Sequence, residues 1–234
     1  DTLYHEELAG GRFGVAGDPI PYSISSDNVI SSLLLGCFVI TMLAFSAGRN
    51  FIFRSIKNFF YIPKTESNQD VTSGEIGALY FFLFQTALLS ALLYFLYVRI
   101  FVADTFILSD EYMVAGIIFG VMVGYFAIKM ILYSVSNLTF FDSKKNGQWF
   151  RAFLFLTAME GIVLYPSTLL LSYFDVSTKF IIYYVAITVI FVKILTFYKS
   201  FVIFFRQNGL FLQIILYFCA LEIIPLFALW GGLE

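Results

Sequence analysis

Long apolar runs separated by short polar connections govern this chain. Six of them, at residues 28–48, 76–98, 113–136, 150–173, 180–198 and 210–230, are long enough to cross a bilayer. About 20 helical residues span the hydrocarbon, and a helix satisfies its own backbone polar groups there. The pattern predicts an all-α integral membrane protein of six transmembrane helices. A polar extracytoplasmic segment over residues 1–27 precedes a transmembrane domain over 28–234.

The connections carry a pattern of their own. Ser55, Phe59 and Phe60 are matched in spacing by Ser136, Phe140 and Phe141 and again by Ser200, Phe204 and Phe205, each set following an odd-numbered run. Phe82, Thr86, Ala87 and Tyr94 match Phe153, Thr157, Ala158 and Tyr165, while Asn146, Gly147 and Glu160 match Asn208, Gly209 and Glu222. These matches predict three tandem helical hairpins in one orientation, the arrangement of a parallel repeat. The first connection alternates large apolar residues with Arg54 and Lys57, a composition suited to an amphipathic helix in the headgroup plane. Arg49, Arg54, Lys57, Phe59 and Phe60 are its expected interfacial residues, anchoring the chain near anionic lipid.

Charge fixes an orientation. Arg49, Arg54, Lys57, Lys64, Lys144, Lys145, Arg151, Lys199 and Arg206 fall in the connections after runs one, three and five, whereas acidic residues such as Asp104, Asp110, Glu111 and Asp175 gather on the other side. The positive-inside rule then predicts both termini outside the cytoplasm. The chain opens on Asp1 rather than Met, which points to upstream residues missing or processed, and its polar opening lacks a signal-peptide pattern.

Composition agrees with lipid as the solvent: 234 residues, 60% hydrophobic, 20% aromatic and 13% charged. A net charge of -2 supplies no basic excess for a phosphate backbone, so nucleic acid is not an expected partner. Cys37 and Cys219 sit in apolar runs and read as packing residues. His5 is the single histidine and lies in the polar tail, which argues against a histidine-based metal site or triad; no metal or cofactor is expected. The glycine spacing of residues 10–17 is not a phosphate-binding fingerprint. Asn137 and Thr139 form a glycosylation sequon, but on the side assigned to the cytoplasm.

Ionisable residues inside apolar runs are the sharpest functional signal, because burying charge in hydrocarbon costs on the order of 2.5–3.5 kcal/mol on insertion scales. Glu160 and Glu222 lie near the middle of runs four and six, and Lys129 and Lys193 near the cytoplasmic ends of runs three and five. Helical rise puts the carboxylates roughly 15–20 Å and the lysine α-carbons roughly 10 Å from that boundary, a gap a lysine side chain can bridge. Three readings fit: mutual pairing within the bundle, a proton or cation relay assisted by Pro166 and Pro225, and acid–base chemistry on a lipid-linked substrate. The last lacks a nucleophile or metal, so an enzyme is the least expected. Gly116, Gly120 and Gly124 recur every fourth residue of run three, the spacing of a helix-packing face against another span or a second copy.

The six-run plan, the acidic lead-in ending at Asp27, the Phe-rich basic connection from Arg49 to Lys64, and Glu222 followed by Pro225 resemble an uncharacterised family of six-span bacterial inner-membrane proteins. The resemblance covers most of the chain and implies a bacterial cytoplasmic membrane, with no activity attached. Tandem hairpins are also similar to the plan of mitochondrial carriers, but the Pro-x-acid-x-x-base signature of their odd spans is missing. The leading expectation is a non-catalytic subunit or scaffold of a cell-envelope assembly, with the bilayer and protein partners or further copies around it. A small ion-coupled permease is the alternative and a membrane enzyme the third.

Overall fold

The computed structural model describes residues 28–57, 59, 73–102, 111–140, 143–174, 176–205, 217 and 219–233. Among these, all regular structure is helical. The helices are α1 (Asn28–Lys57), α2 (Ser73–Val102), α3 (Glu111–Phe140), α4 (Ser143–Tyr173), α5 (Thr178–Ser200) and α6 (Ile224–Leu233). Wider π-helical turns extend α5 over Phe201–Phe205 and lead into α6 over Cys219–Ile223. Four helical stretches are long and apolar enough to cross a membrane: Ile76–Arg99, Tyr112–Thr139, Ser143–Tyr173 and Thr178–Phe204. Two shorter apolar stretches, Asn28–Leu43 and Cys219–Leu229, accompany them.

Helix lengths depart from the hydropathy boundaries in one direction. α1 continues through Gly48 to Lys57 as one helix of 30 residues, so residues 51–57 are its last turns rather than a separate interfacial helix. At 1.5 Å per residue it measures roughly 45 Å, longer than a hydrocarbon core of about 30 Å. Hydropathy marks only the stretch that must be apolar, whereas good helix formers such as Arg and Lys carry the helix onward. α4 likewise begins at Ser143, ahead of the run that starts at residue 150.

α2 and α4 form the centre, with half of each apolar window buried, against 28% for α3 and 22% for α5. α1 and α3 pack on α2, and α5 packs on α4. Small and hydroxyl residues draw the central pair together: the Thr86 hydroxyl lies 2.8 Å from the Phe82 carbonyl of its own helix and 2.9 Å from the Thr157 carbonyl of α4. A Cβ added at Gly161 would overlap the Thr86 hydroxyl and come within 3.3 Å of the Thr86 Cα. Close approach of this kind is how helices associate where lipid removes the hydrophobic drive between them. The stretches around Thr86 and Thr157, matched in the sequence, therefore meet at this interface.

Polar bonds tie α1 to the centre. Gln85 Nε2 donates to Thr41 Oγ1, whose own hydroxyl donates to the Cys37 carbonyl at 2.7 Å, and Tyr173 donates to Ser31 Oγ at 2.7 Å. Pro166 sits inside α4, where it cannot donate to the carbonyl one turn back. Near this break, Tyr184 of α5 donates to the adjacent Val163 carbonyl at 2.9 Å. Elsewhere the outer face is apolar, as with Leu35, Leu43, Ile128, Ile131, Tyr183 and Ile187, all well exposed. Helices apolar all round suit lipid rather than water.

Candidate functional site: a buried ion cluster

α3 presents Tyr125, Lys129, Tyr133 and Asn137 at every fourth position, which places all four on one face over roughly 18 Å of helix. Facing them is the π turn that carries Glu222. Pro225, just beyond that turn, has no N–H for the Leu221 carbonyl, and a wider turn is a common accommodation of a broken α ladder. The turn aims Glu222 inward, where it is 1% exposed.

Three donors from two helices converge on this carboxylate. Lys129 Nζ of α3 lies 2.6 Å and Lys193 Nζ of α5 lies 2.7 Å from the same Oε2, and the Tyr133 hydroxyl donates to Oε1 at 2.5 Å. Lys129 is 2% exposed and Lys193 19%, so the bonds form in low dielectric, where they are strong and where an unpaired partner is expensive. The Lys129 ammonium also stands 5.3 Å from the Phe153 ring centre and 5.7 Å from that of Tyr125, close enough for cation–π attraction.

Aromatic rings close the site against water. Tyr133 packs on Trp149 at 5.0 Å and Phe153 at 5.7 Å between ring centres, and Phe204 of the first π turn lies 5.9 Å from both Trp149 and Tyr217. One turn along α3 from Tyr133, the fully buried Asn137 is held at both ends: its Nδ2 donates to Asn146 Oδ1 at 3.0 Å, and Tyr217 donates to its Oδ1 at 2.5 Å. The network thus joins α3, the start of α4, α5 and the approach to α6.

Two ammonium groups against one carboxylate leave the trio with one uncompensated positive charge. Among the described residues, Glu160 on α4 is a further carboxylate within electrostatic reach of Lys193, Lys129 and Glu222. It is half-buried and makes no hydrogen bond or ion pair among the described residues. The Tyr125 hydroxyl is buried beside these groups, close to Lys193. Among the described residues no three His, Cys, Asp or Glu side chains are grouped to hold a metal ion.

Of the four intramembrane ionisable residues read from the sequence, the structure joins Lys129, Lys193 and Glu222 directly and leaves Glu160 at their side. Gly116 and Gly120 face outward on α3 and Gly124 is half-buried; a Cβ at any of them would meet nothing within 4 Å. Among the described residues no other helix therefore packs closely on that stripe. Arg49 and Lys57 are exposed on α1, which also carries Arg54. Phe59 is buried against Phe155 and Tyr198, with Lys199 over its ring at 4.8 Å. Phe60 lies outside the described residues. Sequence reasoning missed Tyr125, Tyr133, Asn137, Asn146 and Tyr217, although a polar residue every fourth position from 125 to 137 was a readable signal of one lined face.

A family model described as a domain of unknown function, DUF4271, matches residues 30–233, and the chain belongs to that family. Neither a curated protein nor a solved structure matches the chain.

Proposed function

We propose that this chain is a six-span, non-catalytic subunit of an assembly in the bacterial inner membrane, with both termini on the extracytoplasmic side. Glu222 carries this reading. Both of its oxygens are taken by donors from α3 and α5, which suits a pin fastening the C-terminal helix to the bundle. With three donors on its roughly four lone-pair sites and 1% exposure, this carboxylate is poorly placed to serve as a general base toward a substrate. The basic connections support the orientation through the positive-inside rule.

Native mass spectrometry of the protein extracted gently from its own membrane tests the reading. A second polypeptide in stoichiometric amount is the expected result; a lone chain, or copies of this chain alone holding a small solute, would overturn it. One observation favours a second reading as a small ion-coupled permease: Glu160 faces the lysine pair without an ion pair of its own, at the end of a polar ladder along α3. In proteoliposomes Glu160→Gln would then abolish cation- or pH-driven uptake, and unchanged uptake would remove that reading.

A further inference from the structure

An apolar groove of about 430 Å³ runs between α4 and α5, with Met159 and Val163 on one wall, Phe191 and Leu195 on the other, and Ile56 and Phe59 at one end. From Phe155 to Val163 it follows α4 for roughly 12 Å. Its one polar lining residue, Thr188, already donates its hydroxyl to the Tyr184 carbonyl at 2.9 Å. Water held there would find none of the two to four polar partners it needs. The groove opens toward the outer face, where Ile187 and Phe191 are 67% and 58% exposed.

The groove has a charged end. Thr188, Phe191, Leu195 and Lys199 are spaced three and four residues apart, so the lysine heads the same strip of α5 that lines the groove, one turn or roughly 6 Å beyond Leu195. Its ammonium donates to the Phe59 carbonyl at 2.7 Å and stands over the Phe59 ring. Both partners are neutral, and among the described residues no carboxylate pairs with this half-buried cation. A lysine has three donors, so two remain for an anion.

We propose that this groove binds one acyl chain of an anionic glycerophospholipid, with the lipid phosphate on Lys199. Hydrocarbon fills the apolar strip, and the phosphate supplies the negative charge that Lys199 lacks among the described residues. This rests on the reading that α4 and α5 cross the bilayer with the Lys199 end at the headgroups.

The test uses the full chain in detergent, incubated in turn with phosphatidylglycerol and phosphatidylcholine and followed by native mass spectrometry. One tightly retained lipid is expected, with phosphatidylglycerol preferred about fivefold, the worth of one lysine near an anionic headgroup. Lys199→Gln should erase the preference and Lys199→Arg keep it, while Lys179→Gln, exposed in the first turn of α5 at the opposite end of that helix, leaves it unchanged. A Phe191→Trp variant gives a second readout, because brominated phosphatidylglycerol seated in the groove should quench its emission more than the brominated choline lipid does. Equal adducts of both lipids, insensitive to Lys199→Gln and without selective quenching, would overturn the proposal. A chain that stays dissolved after detergent removal would instead overturn the membrane reading beneath it.

Discussion

Replacing Glu222 by glutamine strips the carboxylate that, among the described residues, pairs with the buried Lys129 and half-buried Lys193 ammonium groups, and leaves them facing one another. Removing one partner of a buried ion pair costs about 3–5 kcal/mol, because the charge left behind is uncompensated. Here the loss falls at the upper end, since Lys129 is 2% exposed and has no route to water. Lys129→Met should cost less than Glu222→Gln: it leaves the charge-balanced pair of Lys193 and Glu222 and removes the most deeply buried cation. What it forfeits is one charge-assisted bond, about 1.5–3 kcal/mol, offset by the ammonium no longer held out of water. Replacing the whole set, as Lys129→Met, Lys193→Met, Glu222→Leu and Tyr133→Phe together, removes charges and donors in step. Stability should then return to within about 1 kcal/mol of the original, as expected when packed apolar residues replace a buried ionic group. The assay is reversible unfolding in mixed micelles with increasing sodium dodecyl sulfate, read from the emission of Trp149, which packs on Tyr133 at 5.0 Å. The pin would be refuted by Glu222→Gln lying within about 0.5 kcal/mol of the parent, or by Lys129→Met costing as much as Glu222→Gln, against the pair energetics used here.

Two further outcomes can be read in the same micelles. Gly161→Ala should destabilise the α2–α4 contact by about 1–3 kcal/mol through overpacking, with partial recovery in the double variant carrying Thr86→Ala, because the overlapping atom is the Thr86 hydroxyl; additive losses would contradict this. Asn137→Ala strands the Tyr217 hydroxyl and one face of Asn146 and should cost about 1–3 kcal/mol. Tyr217→Phe, which deletes only one donor, should cost less, and the reverse order would argue against the network.

The glutamate pin changes what a Glu222 substitution can report. Under a purely structural reading of two equivalent carboxylates, both glutamine variants would be silent in function. With Glu222 fastening α6 and Glu160 outside the ion pairs, the two separate: Glu222→Gln reads stability, and Glu160→Gln reads ion coupling without disturbing a bond seen among the described residues. The matched Thr86 and Thr157 stretches bear on the repeat in the same way. Their contact is made by unlike groups, a hydroxyl of one against a carbonyl of the other, so similarity in sequence became complementarity at an interface.

The sequence by itself determined the solvent, the helices and the inventory of buried charge, because hydropathy and the presence of Glu160, Glu222, Lys129 and Lys193 are properties of composition along the chain. Rise per residue also translates position into depth, so pairing of glutamate with lysine was within reach. Which glutamate would take the lysines depended on rotation about each helix axis, and only the tertiary structure decided that. The π turn over Cys219–Ile223 shifts the phase of Glu222 relative to an ideal helix, placing it on Lys129, Tyr133 and Lys193, while Glu160 stays to one side. The same limit hid the outward direction of Gly116 and Gly120 and the inward burial of Phe59. A run of apolar residues suits lipid and protein neighbours alike, so the sequence offers no gradient of hydrophobicity from which the inner face of a membrane helix could be told from its outer one.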